Sequence, residues 1–142
     1  MTLPFNVRVY GILIHEGKLL VSDERYGDFE FTKLPGGGLQ FGEGTIECLK
    51  REFLEEAELE IEVVQHFYTV DFFQPSAFNP NHQVISIYYL VQPAKNMFED
   101  PSLNVHNEHR LRWVPLSEVS SDTFTLPIDK HVAGKITRLD LA

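Results

Sequence analysis

The chain has 142 residues, 43% of them hydrophobic, which is enough to bury one core, and a single domain over residues 1–142 is expected. Asp plus Glu number 21 against 12 Lys plus Arg, a net charge of −9, which excludes the basic footprint of a binder of long nucleic acid. No apolar run is long enough to cross a bilayer, MTLPFNVRVYG lacks a signal-peptide layout, and the single Cys48 excludes an internal disulfide framework, so a cytoplasmic protein with no membrane partner is expected.

In chain order, Phe5–His15 reads as a strand, Glu16-Gly17 as a tight turn and residues 18–23 as the partner strand, with Leu19, Leu20 and Val21 buried. Residues 31–34 and 38–41 read as short strands flanking Pro35-Gly36-Gly37-Gly38, a turn whose backbone can approach a ligand closely because no side chain intervenes. Gly44 is the expected N-cap of a helix, with Glu47 in the capping-box position. At about 100° per residue, Ile46, Leu49, Phe53 and Ala57 form an apolar stripe, and Glu52, Glu55 and Glu56 share an adjacent arc of about 100°. Like charges so spaced cost about 0.2–0.5 kcal/mol per pair. A hard cation with oxygen ligands would reverse that sign.

Beyond this helix come two β-rich runs, residues 59–73 and 83–92, separated by a loop over residues 74–82. A further strand is expected at 111–114, a helical turn at 116–119 and a terminal helix at 128–138. Strands interleaved with two helices indicate an α/β or α+β layered fold. Cys48, near the acidic arc, reads as a packing residue, and His15, His66, His106, His109 and His131 show no metal-ligand spacing.

The stretch from Gly37 to Leu59 resembles the Nudix box, a pattern of G, five residues, E, seven residues, then R-E-U-x-E-E-x-G-U with U bulky and apolar. Gly37 matches the first glycine, Glu43 the first acid, Arg51 and Glu52 the R-E pair, Phe53 the first apolar position, Glu55 and Glu56 the E-E pair and Leu59 the last apolar position. Glu58 stands where the family has glycine, so the helix is expected to end without a left-handed glycine cap.

The resemblance implies the Nudix fold, a mixed β-sheet sandwiched between α-helices. It also implies metal-dependent hydrolysis of the diphosphate linkage in a nucleoside diphosphate joined to another moiety X, such as a nucleotide sugar, ADP-ribose or a nucleoside triphosphate. By that resemblance Glu52, Glu55 and Glu56 hold Mg2+ or Mn2+ together with the Gly36 carbonyl, Arg51 pairs with a box carboxylate, foremost Glu43, and Glu52 or Glu55 takes the proton from water. Some relatives add an acid from a later loop, a place that Glu108 fills here.

Arg8, Arg25 and Lys33 are candidates for contacting phosphates or a ribose, and Phe78 and His82 for stacking on a base. A small nucleotide diphosphate is the expected partner, and the resemblance is compatible with a homodimer. The alternative, from a different class, is a Nudix-fold binding or sensor module without turnover, for which Glu58 is the sequence argument. The box handles the diphosphate and metal, whereas X is read by loops, so the motif does not choose among substrates.

Overall fold

The computed structural model describes residues 4–94, 105–106 and 109–139. Strand β1 (Phe5–His15) and β2 (Lys18–Tyr26) are joined by a two-residue turn in which Glu16 and Gly17 both take positive φ, 51° and 74°, matching the twist of a tight hairpin. Then follow β3 (Phe29–Lys33), β4 (Gly36–Gly38), helix α1 (Thr45–Ala57), β5 (Ile61–Thr69), β6 (Gln83–Pro93), β7 (Val105–His106) and β8 (His109–Pro115). Two 3-10 turns, Leu116–Glu118 and Ser121–Thr123, lead into α2 (Pro127–Ile136), which starts on a proline preset for a first helical position.

The sheet order is β5-β6-β1-β2-β8-β7, with β3 on β2 and β4 on β1. β1 and β6 run parallel from Phe5↔Gln83 to Leu13↔Val91, and the other pairings are antiparallel, so the sheet is mixed. Alternation along the strands divides the apolar residues between two cores. Val9, Leu13 and Leu20 pack with Cys48, Leu49 and Phe53 of α1. Tyr10, Ile12, Leu19 and Val21 pack with Ile128, Val132, Ala133 and Ile136 of α2. Each such large side chain contributes about 1.5–3 kcal/mol on burial, and together they clamp one helix to each face. Among the described residues no helix is long and apolar enough to cross a membrane.

Several boundaries differ from the sequence reading for identifiable reasons. β2 runs on to Tyr26 because β3 starts early enough to pair Tyr26 with Phe29. The strand expected at 38–41 is instead Gly36–Gly38, paired with Arg8–Tyr10, and the chain turns after it, with the Glu43 N–H donating to the Gln40 carbonyl at 3.3 Å. β5 is shorter than residues 59–73, and α2 starts and stops earlier than 128–138. On α1 the buried residues are Cys48, Leu49, Phe53 and Glu56, whereas Ile46 is 43% exposed. Cys48 takes the place given to Ile46 because the helix leans on the glycine strand, the Cys48 thiol facing the Gly38 carbonyl at 3.6 Å.

Glu58 corrects a second expectation. It adopts φ 52°, ψ 37°, the left-handed conformation that the glycine of the pattern would take. Its N–H donates to the Leu54 carbonyl at 3.2 Å and the Leu59 N–H to the Phe53 carbonyl at 3.3 Å, so the last turn is satisfied without glycine. The left-handed conformation costs a residue with a Cβ about 1 kcal/mol. Glu58→Gly is therefore expected to raise stability by about 0.5–1 kcal/mol, a Tm gain of about 2–4 °C by calorimetry; a lower Tm would show that the Glu58 side chain stabilises the turn more than the strain opposes it.

Candidate functional site

The glycine strand β4 lies between β1 and α1, and its lack of side chains is what admits the helix. A Cβ on Gly37 would sit 2.6 Å from the Glu52 carboxyl carbon, so that carboxylate occupies the volume a side chain at 37 would need. Gly36 takes φ 144°, where a Cβ would meet the Val9 carbonyl oxygen at 2.1 Å. Its N–H donates to Glu56 Oε2 at 3.4 Å.

Arg51 is the hub of the box. Its guanidinium donates twice to Glu43, Nε to Oε2 at 3.0 Å and Nη2 to Oε1 at 2.8 Å, a fork that fixes both partners. Nη1 reaches Glu52 at 3.0 Å and Glu55 at 3.1 Å, and Nη2 also donates to the Gly38 carbonyl at 3.2 Å. Glu43 further accepts the Gln40 N–H at 2.9 Å. Arg51 and that backbone donor hold the Glu43 carboxyl down at about 2, and Glu43 in turn raises Arg51 above its ordinary value. Glu47 accepts the Gly44 N–H at 3.0 Å, which gives α1 one half of a capping box, because Gly44 has no side chain to return the bond.

Glu56 behaves differently. It is 6% exposed, and burial pushes its carboxyl up to about 7 against the pull of Lys33. Lys33, 2% exposed, places its ammonium 2.7 Å from Glu24, 2.9 Å from the Gly36 carbonyl, 3.1 Å from the Leu34 carbonyl and 4.0 Å from Glu56. Burial works against that charge, yet Glu56 and Glu24 outweigh it and hold the ammonium pKa above its ordinary value. Burial likewise pushes the Cys48 thiol up to about 12, which suits a packing role.

Beside the box, and joined to it through Lys33 and Glu24, opens a cavity of ≈ 320 Å³, within the range of small-molecule sites. Arg8, Arg25, Lys33 and Phe78 all line it. His82 does not; its backbone closes the loop instead, accepting from Ser76 at 2.8 Å and donating to Asn79 at 2.9 Å. Glu108 lies outside the described residues. At the mouth, Phe78 meets Tyr26 at 5.0 Å, Phe31 at 5.3 Å and Phe29 at 5.8 Å between ring centroids, so β2, β3 and the 74–82 loop share an aromatic wall. The inner end is polar: Tyr88 donates to Asp129 at 2.6 Å, and Arg8 donates to the Tyr10 hydroxyl at 2.6 Å.

Sequence reasoning missed Glu24, Tyr10, Tyr88 and Asp129 as cavity residues. Alternation marks Tyr10 and Tyr88 only as inward-facing, Asp129 reads as an ordinary acid in a first helical turn, and Glu24 lies just past the expected end of its strand.

The oxygen donors of Glu52, Glu55, Glu56 and Gly36 suit a hard divalent cation, and the Gly37 cradle brings the Glu52 carboxylate onto the backbone of the turn. Among the described residues, no group of three His, Cys, Asp or Glu side chains is assembled around one cation position. Arg51 pairs with Glu52 and Glu55, while Lys33 sits between Glu56 and Glu24.

A family model for the NUDIX domain matches residues 4–136. Among solved structures, the chain is similar to a MutT protein from Methanosarcina mazei Go1 at 21% identity and TM-score 0.74, covering 97% of this chain and 96% of that one. It is similar to a NUDIX hydrolase from Nitrosomonas europaea at 19% identity and TM-score 0.73, over 93% and 87% of the two chains. An ADP-ribose pyrophosphatase from Streptococcus suis 89-1591 aligns at 16% identity and TM-score 0.62, over 95% and 93%. At these identities the likeness shows the fold alone. A comparison with curated proteins found no match.

Two expected outcomes follow from the geometry. Gly37→Ala must displace the Glu52 carboxylate, the flexible end of a side chain, so unfolding stability should fall by about 1 kcal/mol while turnover drops about tenfold or more; an Ala variant with normal turnover would show that the cradle does not position Glu52. Burial raises the Asp129 carboxyl to about 6, opposed by Tyr88, Lys33 and Arg8, against an ordinary value of 3.8. The folded state then keeps a proton that the unfolded chain has released, so this group costs stability as pH rises from about 4 to about 6. Relative to Asp129→Asn, the wild type should lose up to about 2–3 kcal/mol across that window, read from denaturant midpoints at each pH; parallel pH profiles would refute the assignment.

Proposed function

Because the chain belongs to the NUDIX domain family, whose model spans residues 4–136, we propose that it is a metal-dependent pyrophosphohydrolase cleaving the diphosphate linkage of a nucleoside diphosphate joined to another moiety X. The observation that carries this reading is the joining of the carboxylate-bearing box to a lined cavity by the Lys33–Glu24 pair. A diphosphate resists attack because its oxygens carry charge that repels a nucleophile. Mg2+ or Mn2+, held by Glu52, Glu55, Glu56 and the Gly36 carbonyl, would neutralise that charge and ease deprotonation of water.

The chain's own residues do the rest. Glu52 or Glu55 accepts the proton from water, and Arg51, braced by Glu43, orients both carboxylates. Arg8 and Arg25 line the cavity where they can meet phosphate or ribose oxygens. Phe78, with Tyr26 and Phe31, offers ring faces to a planar group of the substrate. Glu108 is retained in this proposal as a further acid. Small size and mixed polarity suit the cavity to a small-molecule partner. The sensor reading loses its sequence argument, because Glu58 preserves the helix ending that a glycine would give.

Glu52→Gln is expected to lower turnover by about a hundredfold or more with little change in folding. The substrate follows from a panel of nucleoside diphosphate sugars, dinucleoside polyphosphates, ADP-ribose and oxidised nucleoside triphosphates, each with and without Mg2+. Near-normal activity in Glu52→Gln would sink the role given to that residue. Binding of one panel member without metal-dependent hydrolysis of any would establish the sensor instead.

A further inference from the structure

Lys33 precedes the box in the chain, but its ammonium stands against it. Its ammonium is surrounded by oxygen: the Glu24 carboxylate at 2.7 Å, the Gly36 carbonyl at 2.9 Å and the Leu34 carbonyl at 3.1 Å, with Glu56 at 4.0 Å. Two carboxylates and two backbone carbonyls are the kind of donor set that a hard divalent cation takes. All three ammonium protons have oxygen partners in this arrangement, and the side chain is 3% exposed, so water does not compete for it. The Gly36 carbonyl and Glu56, two of the donors assigned above to the metal, are thus already facing a cation that belongs to the chain.

We propose that Lys33 is a tethered cation that competes with a divalent ion for the Gly36 carbonyl and Glu56, and so sets how tightly this box holds metal. The inference rests on the metal-binding reading of the box. A divalent ion at Gly36 and Glu56 would stand within a few ångströms of the present ammonium position, where two positive charges repel strongly in a site shielded from water. Metal binding therefore requires the ammonium to move away. The direction open to it is the cavity, which both Lys33 and Glu24 line, so the ion pair can be kept as Lys33 leaves Gly36. In that position the ammonium meets the side from which a phosphorylated substrate arrives. One lysine then serves first as a placeholder for the metal charge and afterwards as a phosphate contact.

The test is Mn2+ titration of the full chain at fixed pH, followed by electron paramagnetic resonance of free Mn2+, together with the Tm rise that saturating Mn2+ produces. Lys33→Met keeps the length of the side chain and removes its charge. Its Mn2+ affinity is expected to increase about tenfold or more, and its metal-induced Tm rise to exceed that of the wild type. Lys33→Arg, which keeps the charge, should stay near or below the wild-type affinity. Should Lys33→Met fold only with metal present, that dependence is itself the expected result, because Glu24 and Glu56 have lost their counter-ion. The double variant Lys33→Met/Glu24→Gln, compared with Glu24→Gln alone, repeats the measurement with one of the two carboxylates made neutral.

Equal or weaker Mn2+ binding in both comparisons would overturn the proposal and leave Lys33 as a plain structural counter-ion. Absence of Mn2+ binding by the wild type and every variant would overturn the metal reading of the box together with it. Binding by the wild type with no effect of Lys33 would overturn the competition alone.

Discussion

Helix α1 approaches β4 so closely that the Glu52 carboxylate fills the volume a side chain at residue 37 would occupy. That contact decides the rest of the box. It requires glycine at 37, turns Cys48 inward against the Gly38 carbonyl, and brings Arg51 within reach of both the turn and its own helix. The packing of Leu49 and Phe53 against Val9, Leu13 and Leu20 holds the helix at that distance, so the apolar core on one face of the sheet positions the polar site at its edge.

Close approach also concentrates negative charge, and the chain meets it with two cations of different kinds. Arg51 spreads a planar fork over Glu43, Glu52 and Glu55, a geometry suited to fixing several carboxylates at once. Lys33 supplies a compact point charge between Glu24 and Glu56 and touches the backbone of the turn. Arg51 fixes three carboxylates with one planar group, whereas Lys33 carries its charge at the end of a flexible stem. Because Lys33 also lines the cavity, the carboxylate cluster and the cavity share one cation.

The second core, built on α2, serves the cavity in a comparable way. Ile128 packs in the apolar cluster while its neighbour Asp129 turns toward Tyr88 at the inner end of the cavity. Burial, which stabilises the helix on the sheet, is the same condition that raises the Asp129 carboxyl and the Tyr88 hydroxyl above their ordinary values. At the opposite end Phe29 stacks on Phe31, and Phe78 meets Tyr26, Phe29 and Phe31 at a tilt or edge-on, so the rings tie a hairpin and a loop into one wall.

By itself the sequence determined the layered fold, the extent of β1, the glycine turn followed by a helix, and the identity of the acids and the arginine in the box. These are local matters of period, turn chemistry and spacing along one helix, which neighbouring residues specify almost alone. It left β4 misplaced, because glycines carry no pattern of their own and become a strand only through pairing with Arg8–Tyr10. It misjudged the helix ending at Glu58, because a left-handed cap can be imposed by the contacts around it on a residue that does not favour it. Only the tertiary structure decided that Arg8, Arg25, Lys33 and Phe78 share a cavity while His82 does not, and that Glu24 and Asp129 belong with them. Residues so far apart in the chain meet through sheet pairing and helix docking, and no spacing within a single element encodes that meeting.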